Sequence, residues 1–432
     1  MSAQVWKRCT KCGARAPGRR CTRCGRTKFT WAFTLDVGSD GTGKRKQQLR
    51  SGFATKAEAE RALGEVSSAL RHGAYVGRSN LTVGQYLLDE WLPATAPPTV
   101  KYETWADRRR TLENHVVPRV GGARLQALNA SHLNRLYGEL LRHGRLDGPG
   151  GLSPTTVRRV HAMLRKALND AVRWGRLERN PAAQADPPPT RLAKAARRRT
   201  MRIWNGREVR DFLTASADHP LGVLWLVAVG TGLRRSELLG LRWSDLNLDA
   251  ATATVRQTIT ETEQGYRPRE EAKSEASART VHLDSRTVTA LKEHRAEQER
   301  IRREVGPGYR DHDLVFCQID GSWWNPPAIS LAFGRAVRRA KARPIRLHDL
   351  RHTHASLLLA AGVNPKVVSE RLGHSSVAFT LDTYAHLIPG MQPRAAELFM
   401  DLVYDEPDGS ADLETRHEGM PDEGPENDPG GA

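Results

Sequence analysis

No run of apolar residues in this chain is long enough to cross a bilayer, and the opening stretch MSAQVWKRCTKCG lacks the apolar segment of a secretory signal. Membrane insertion and export are therefore not expected, and a cytoplasmic location is. No repeat of 20–50 residues recurs, so a solenoid or propeller is not expected. Acidic residues are short of basic ones, 49 against 67, for a formal net charge of +18. The shortfall is uneven. Ten acidic residues fall between Asp405 and Ala432 with only Arg416 against them, so that tail carries −9 and residues 1–404 carry +27. A surface that basic attracts a polyanion, and counterion release makes such binding salt-sensitive. The Pro-, Gly- and acid-rich tail cannot bury apolar surface, so disorder is expected there.

Cysteine is scarce, five in 432 residues, but four of them are ordered as Cys9-x-x-Cys12 and Cys21-x-x-Cys24. Each pair is followed by a glycine, Gly13 or Gly25, which permits the tight turn of a chelating knuckle. In a cytosolic chain such pairs read as a metal site before they read as disulfides, and four thiolates suit tetrahedral Zn²⁺. Redox-active or incidental thiols are the alternative. Cys317 stands alone in an apolar run.

Strand-like segments at 31–37 and 46–53 flank a Gly-rich basic turn, and a helix starts at Thr55, where Thr55 and Glu58 form a capping box. Lys44, Arg45, Lys46 and Arg50 make this unit a groove or backbone reader, or a solvated basic hairpin. From Leu81 to about Asn180 the apolar spacing is helical, which predicts a compact four-helix domain. Its last helix is announced by Ser153 as N-cap and Pro154 at the first turn, with Arg158, Arg159, Arg165 and Lys166 off the apolar face. A basic linker with three prolines follows. The largest domain then runs from about Met201 to Val403, with helices at 207–217 and 220–230, strands at 251–260 and 278–283, and further helices.

Within that domain several polar residues stand where polarity is costly. Arg234 follows a buried-type helix, in TGLRRSELLGLRW, and pairs either with an anionic ligand or with Glu237. His348 and Arg351 share a helix face at i and i+3, in LHDLRHTHAS. His374 lies in LGHSS and Tyr384 in TLDTYAH. Taken singly, each has a bland reading: an ion pair, a cap, a packing tyrosine. Taken together, two guanidiniums, imidazole donors and a hydroxyl are what a metal-free phosphoryl transfer needs.

These four segments, in this order, resemble the signature boxes of the tyrosine recombinase (phage integrase) family across about 200 residues. The upstream helices are similar to that family's core-binding domain, and residues 31–72 to its small three-stranded arm-binding domain. The cysteine segment resembles, more weakly, the zinc-ribbon-like extensions of some actinobacterial integrases. The resemblance implies a multidomain, mainly α protein with a small α+β arm-binding domain, a helical core-binding domain and a mixed, mostly α catalytic domain with a small β-sheet. The expected segments are a knuckle at 1–28, arm-binding domain 29–78, core-binding domain 79–184, basic linker 185–200, catalytic domain 201–404 and acidic tail 405–432.

It further implies a site-specific DNA recombinase that cleaves and rejoins strands through a 3′-phosphotyrosyl link, integrating or excising a mobile element. Arg234 and Arg351 would clamp the scissile phosphate, and His348 would assist proton transfer from the attacking hydroxyl. His374 would donate to a phosphate oxygen, and Tyr384 would attack. Lys273, the lone lysine between Arg234 and Lys292, would protonate the leaving 5′-oxygen. Glu237 would orient Arg234, while His352, His354 and His386 would give support and Tyr404 no chemistry. Catalysis would need no cofactor, leaving Zn²⁺ in Cys9, Cys12, Cys21 and Cys24 as a structural ion. Expected partners are double-stranded attachment-site DNA, three further copies in a tetramer, and an excision factor. The helix expected at 393–403 docks on such a copy or on its own domain. Two other functions remain at this point: a type IB topoisomerase-like enzyme, told apart by site-independent relaxation, and a non-catalytic DNA-binding protein, which need not keep every member of the constellation.

Overall fold

The structure is a computed structural model and describes residues 4–39, 45–71, 75–270, 279–374, 376–384 and 391–404. The expected acidic tail, Lys273 and His386 lie outside these residues. Among the described residues no helix is long and apolar enough to cross a membrane.

The N-terminal unit is an antiparallel sheet in the order β1 (Val5–Cys9), β2 (Phe29–Ser39), β3 (Arg45–Phe53), covered by helix α1 (Lys56–Arg71). Thr55 caps α1 as its spacing with Glu58 predicts: the Glu58 N–H donates to Thr55 Oγ1 at 3.2 Å and the Thr55 N–H to Glu58 Oε2 at 3.4 Å. Phe33, Leu35, Ala59 and Val66 form its small core. The sheet crosses the division expected at residue 28, because β1, which ends on Cys9, pairs with β2 from Val5↔Phe33 to Cys9↔Phe29. A boundary placed by composition misses a ladder made by backbone groups.

The next unit is built of helices α2 (83–94), α3 (102–120), α4 (Ala130–His143) and α5 (Pro154–Arg173). Their apolar stripes close on one core that includes Tyr86, Trp91, Leu112, Leu136 and Leu164. Ser153 accepts from the Thr156 N–H at 3.1 Å, the N-cap expected of Ser-Pro. Three of the four cations expected to face phosphate instead have protein partners: Lys166 donates to Asp170 at 2.7 Å, Arg159 to Asp107 at 2.8 Å, and Arg158 to the Pro188 carbonyl at 2.7 Å.

The segment expected as a linker is mostly helix. α6 (Thr190–Thr200) lies against α5, with Ala193 buried and its carbonyl accepting from Thr155. The three prolines at 187–189 precede the helix rather than interrupt it, and Leu, Ala, Lys and Arg all favour helix.

The last domain orders α7 (Gly206–Ala215), α8 (Gly222–Thr231), α9 (Arg235–Leu239), a three-stranded sheet β4 (Leu246–Asn247), β5 (Thr252–Val255), β8 (Arg279–His282), and a hairpin β6 (Gln257–Thr262), β7 (Gly265–Glu270). Then come α10 (Ser285–Val305), α11 (Pro326–Arg339), α12 (Leu347–Ala360), α13 (Pro365–Leu372), α14 (Val377–Tyr384) and α15 (Met391–Tyr404). Trp204, Phe212, Trp225 and Phe333 stack at the centre of the core, with ring centroids 4.9–6.2 Å apart. Helix α12 enters this interior, so its first ten residues, Leu347 to Ser356, are buried except His348.

Candidate active site

The site is assembled where two chain reversals meet. Apolar helix α8 ends at Gly232, whose φ of 66° only glycine adopts without strain. A Cβ there would also fall 2.7 Å from Leu372 Cδ2 and 2.8 Å from His354 Cδ2. The reversal sets Arg234 at the N-terminus of α9, where its own N–H donates to Glu237 Oε2 at 2.8 Å and its Nη1 to Glu237 Oε1 at 2.6 Å. Of the two readings of Arg234, the ion pair with Glu237 is present, and its side chain still has 42% of its surface exposed toward solvent.

Helix α13 ends at Gly373, also left-handed at φ 65°. Three consecutive carbonyls at this end accept from three different arginines. Arg279 Nε donates to Arg371 O at 3.1 Å, Arg351 Nη2 to Leu372 O at 2.7 Å, and Arg234 Nη2 to Gly373 O at 2.9 Å. Orphan carbonyls and the negative end of a helix dipole make a helix C-terminus a natural seat for cations. Arg351 is fixed from its other side too, by Nη1 to Gly232 O at 2.8 Å. The glycine turns of the first and third boxes thus hold the arginine of the second.

Electrostatics follow from burial. Glu237 has 1% of its side chain exposed; burial alone would raise its pKa, but the Arg279 fork and the charge of Arg234 bring it down to about 2. Arg351 is 3% exposed, and burial together with Arg234 lowers it to about 10, so it keeps its charge at neutral pH. Partial desolvation and then Arg351 lower His348, although its side chain still reaches solvent. His354, pushed down to about 4 by burial and by Arg371, is a neutral acceptor for Arg371 Nε at 3.1 Å.

Tyr384 closes α14 and is 1% exposed. Its hydroxyl is 2.9 Å from His352 Nδ1, while the ring of His348 stands edge-on to His352 at 4.9 Å. The ring of His374 lies parallel to that of Tyr384 at 6.1 Å and places Nδ1 2.7 Å from Thr380 Oγ1. The structure therefore brings together Arg234, His348, Arg351, His374 and Tyr384, with His352 rather than His348 on the hydroxyl. Sequence reasoning gave His352 a support role because adjacent histidines on one helix cannot be ranked without knowing which ring faces α14. It missed Arg279 altogether, since a polar residue on a short strand reads as solvent-facing.

Arg234, Arg235, Arg346 and His348 open onto a cleft of about 820 Å³, whose opposite wall carries Glu103, Asp107 and Arg110 of α3. Arg110 reaches Glu261 of β6 at 3.1 Å across it. At the far end of the chain, the sulfurs of Cys9, Cys12, Cys21 and Cys24 all lie within 4.8 Å of one another and could hold a metal ion. Two matching turns bring them there, Gly13 N–H to Cys9 O at 3.0 Å and Gly25 N–H to Cys21 O at 2.8 Å. Cys317 has no part in this; its sulfur accepts from Gln298 Nε2 at 2.8 Å.

Comparison with known proteins agrees with the geometry. Residues 205–390 match the phage integrase family and residues 17–70 an arm DNA-binding domain. A tyrosine recombinase XerC-like protein of Caldanaerobacter subterraneus is 28% identical over 87% of this chain and 97% of its own length. The ICEBs1 integrase of Bacillus subtilis is 30% identical over 59% of this chain and 67% of its own. Among solved structures, the Tn1549 transposon integrase in complex with transposon right end DNA superposes with a TM-score of 0.59 at 22% identity, over 74% of this chain and 99% of that one, which shows the shared fold. With its boxes in order and its arginines gathered on one helix end, the chain belongs to the phage integrase family and is a tyrosine site-specific DNA recombinase.

Proposed function

We propose that Tyr384 is the nucleophile of this recombinase, attacking a phosphate clamped by Arg234 and Arg351. The observation that carries the reading is the seating of both guanidiniums on adjacent carbonyls, Gly373 O and Leu372 O, one step before His374, whose ring lies against Tyr384. Donors fixed in this way need no reorganisation as charge builds on the non-bridging oxygens. The hydroxyl proton passes to the imidazole pair His352 and His348, the Tyr384 oxygen bonds to phosphorus, and the 5′-oxygen leaves. Lys273 protonates that oxygen, and His374 donates to a phosphate oxygen. Reversal by a second 5′-hydroxyl rejoins the strand, so no cofactor and no high-energy donor is consumed. Because Tyr384 starts buried, the α14 segment shifts when duplex DNA enters the cleft.

The same reading assigns the unit 1–78 to arm-type DNA, the helical unit 79–184 with the basic segment 185–200 to the core site, and residues 201–404 to cleavage at double-stranded attachment sites in the cytoplasm, leaving 405–432 as an appended tail. Exposed Phe399, Met400 and Val403 on α15 give a second copy an apolar face, consistent with a tetramer on DNA, and an excision factor would set direction. The Cys9, Cys12, Cys21 and Cys24 cluster suits Zn²⁺: sulfurs 2.3 Å from the ion in a tetrahedron lie about 3.8 Å apart, and here two pairs are 3.5 Å apart. Bound zinc would brace β1 and β2 and supply no chemistry to cleavage.

The test is covalent capture on a nicked duplex carrying the end of the DNA element that encodes the chain. An adduct that survives EDTA is expected, and none with Tyr384→Phe. An adduct of unchanged yield in that variant removes Tyr384 from the role.

A further inference from the structure

We infer that Arg279, on strand β8, is a positioning residue of the cleavage site: it neutralises Glu237 so that the charge of Arg234 is left free for the scissile phosphate. The inference rests on the reading of Arg234 as a phosphate clamp. Glu237 accepts four donors, the backbone and Nη1 of Arg234 and both Nη groups of Arg279, the latter at 3.0 and 2.6 Å. A lone Glu237–Arg234 pair would be neutral and would oppose a second anion at Arg234. With Arg279 on the other side of the carboxylate, the trio carries one net positive charge. The exposed member is Arg234, with 42% of its side chain accessible, whereas Arg279 has 12%. Arg279 therefore faces the carboxylate rather than the cleft.

Its place is fixed from a second direction. Nε donates to Arg371 O, and the side chain packs on Gly373, where a Cβ would come within 2.8 Å of Nη1. Gly373 thus serves two needs, its left-handed turn and the room for this third arginine. Through Arg279 the strand β8, the arginine box on α9 and the end of α13 become one body. A lysine could supply the charge but not three donors in three directions.

The test compares single-turnover cleavage of the nicked duplex with cleavage of the same duplex bearing a methylphosphonate at the scissile position, which is uncharged. Arg279→Ala should slow cleavage of the phosphate substrate roughly 100-fold, the scale of losing one preorganised electrostatic donor, and that of the methylphosphonate only a few-fold. Arg279→Lys should fall between wild type and Arg279→Ala on phosphate, with duplex affinity unchanged in both variants. Equal losses on the two substrates would mean a merely structural role and would overturn the inference, as would full activity of Arg279→Ala. No adduct from the wild-type chain on either substrate would instead sink the assignment of the cleavage site, and this inference with it.

Discussion

The core-binding unit and the catalytic domain are both made of helices, yet they bury charge differently. In the first, one carboxylate is buried, Asp170, and it takes Trp91 Nε1 at 2.9 Å together with Lys166 and Arg173, whose side chains are 54% and 68% exposed. Water still solvates the cations, so the group is a tether at the rim of an apolar core. In the second, Glu237, Arg351, Asp349, His352 and His354 are all buried. Arg351 rests on the carbonyls of Gly232 and Leu372, Glu237 takes Arg234 and Arg279, His352 meets the Tyr384 hydroxyl and His354 accepts from Arg371, while Asp349 pairs with the exposed Arg346. A cation solvated at its far end can relax when its partner goes; a guanidinium seated on fixed carbonyls cannot. The difference teaches that rigidity here comes from where the partners are anchored rather than from how many there are.

That contrast can be broken in several places. The largest expected effect is on chemistry: Arg351→Ala should lower cleavage by roughly 10²–10³-fold, as removal of a fixed oxyanion donor does, with duplex retention in a gel shift nearly intact. An equal fall in retention would mean that Arg351 holds the fold rather than the phosphate. In stability, Glu237→Gln should cost about 3–5 kcal/mol, because it strands buried Arg279 without an anion. Asp170→Asn should cost only about 1–2 kcal/mol, since Trp91 keeps an acceptor and the two lysine and arginine heads stay in water. Urea midpoints of the two variants decide this, and equal costs would abolish the distinction.

Acid sharpens it further. His354 is lowered from 6.5 to about 4, so the unfolded chain binds the proton first and stability falls as the pH drops from 6.5 toward 4. Glu237 is lowered from 4.5 to about 2, so its contribution is whole above 4.5 and is lost as the pH falls through 4.5 toward 2. Melting against pH should show both losses in the catalytic domain, and His354→Gln should flatten the upper one. The smallest effect on cleavage is expected at the other end of the chain. Replacing Cys9 and Cys12 with Ser should lower zinc content measured by mass spectrometry and leave core-site cleavage within a few-fold. Undiminished zinc would refute the metal reading.

Much of this was legible in residue order. Ser153-Pro154, Thr55 with Glu58 and the apolar stripe of α5 state their helices because caps and periodicity are local. The boxes around Arg234, Arg351, His374 and Tyr384 could be named for the same reason, as could the paired cysteines with their glycines. The basic segment before residue 200 was misjudged because prolines at a helix start look like prolines in a linker. Arg279 was not legible at all and His352 only as one supporting histidine among several, for their meaning depends on which residue from another part of the chain arrives beside them.

Sequence alone therefore determined the kind of chemistry, its nucleophile candidate and the chain's helical units, since those depend on residue type and near spacing. Tertiary structure decided what those groups rest on. Only folding brings carbonyls 371–373 under arginines 279, 351 and 234, because that socket is a helix end, and a helix end has no partners until distant segments supply them.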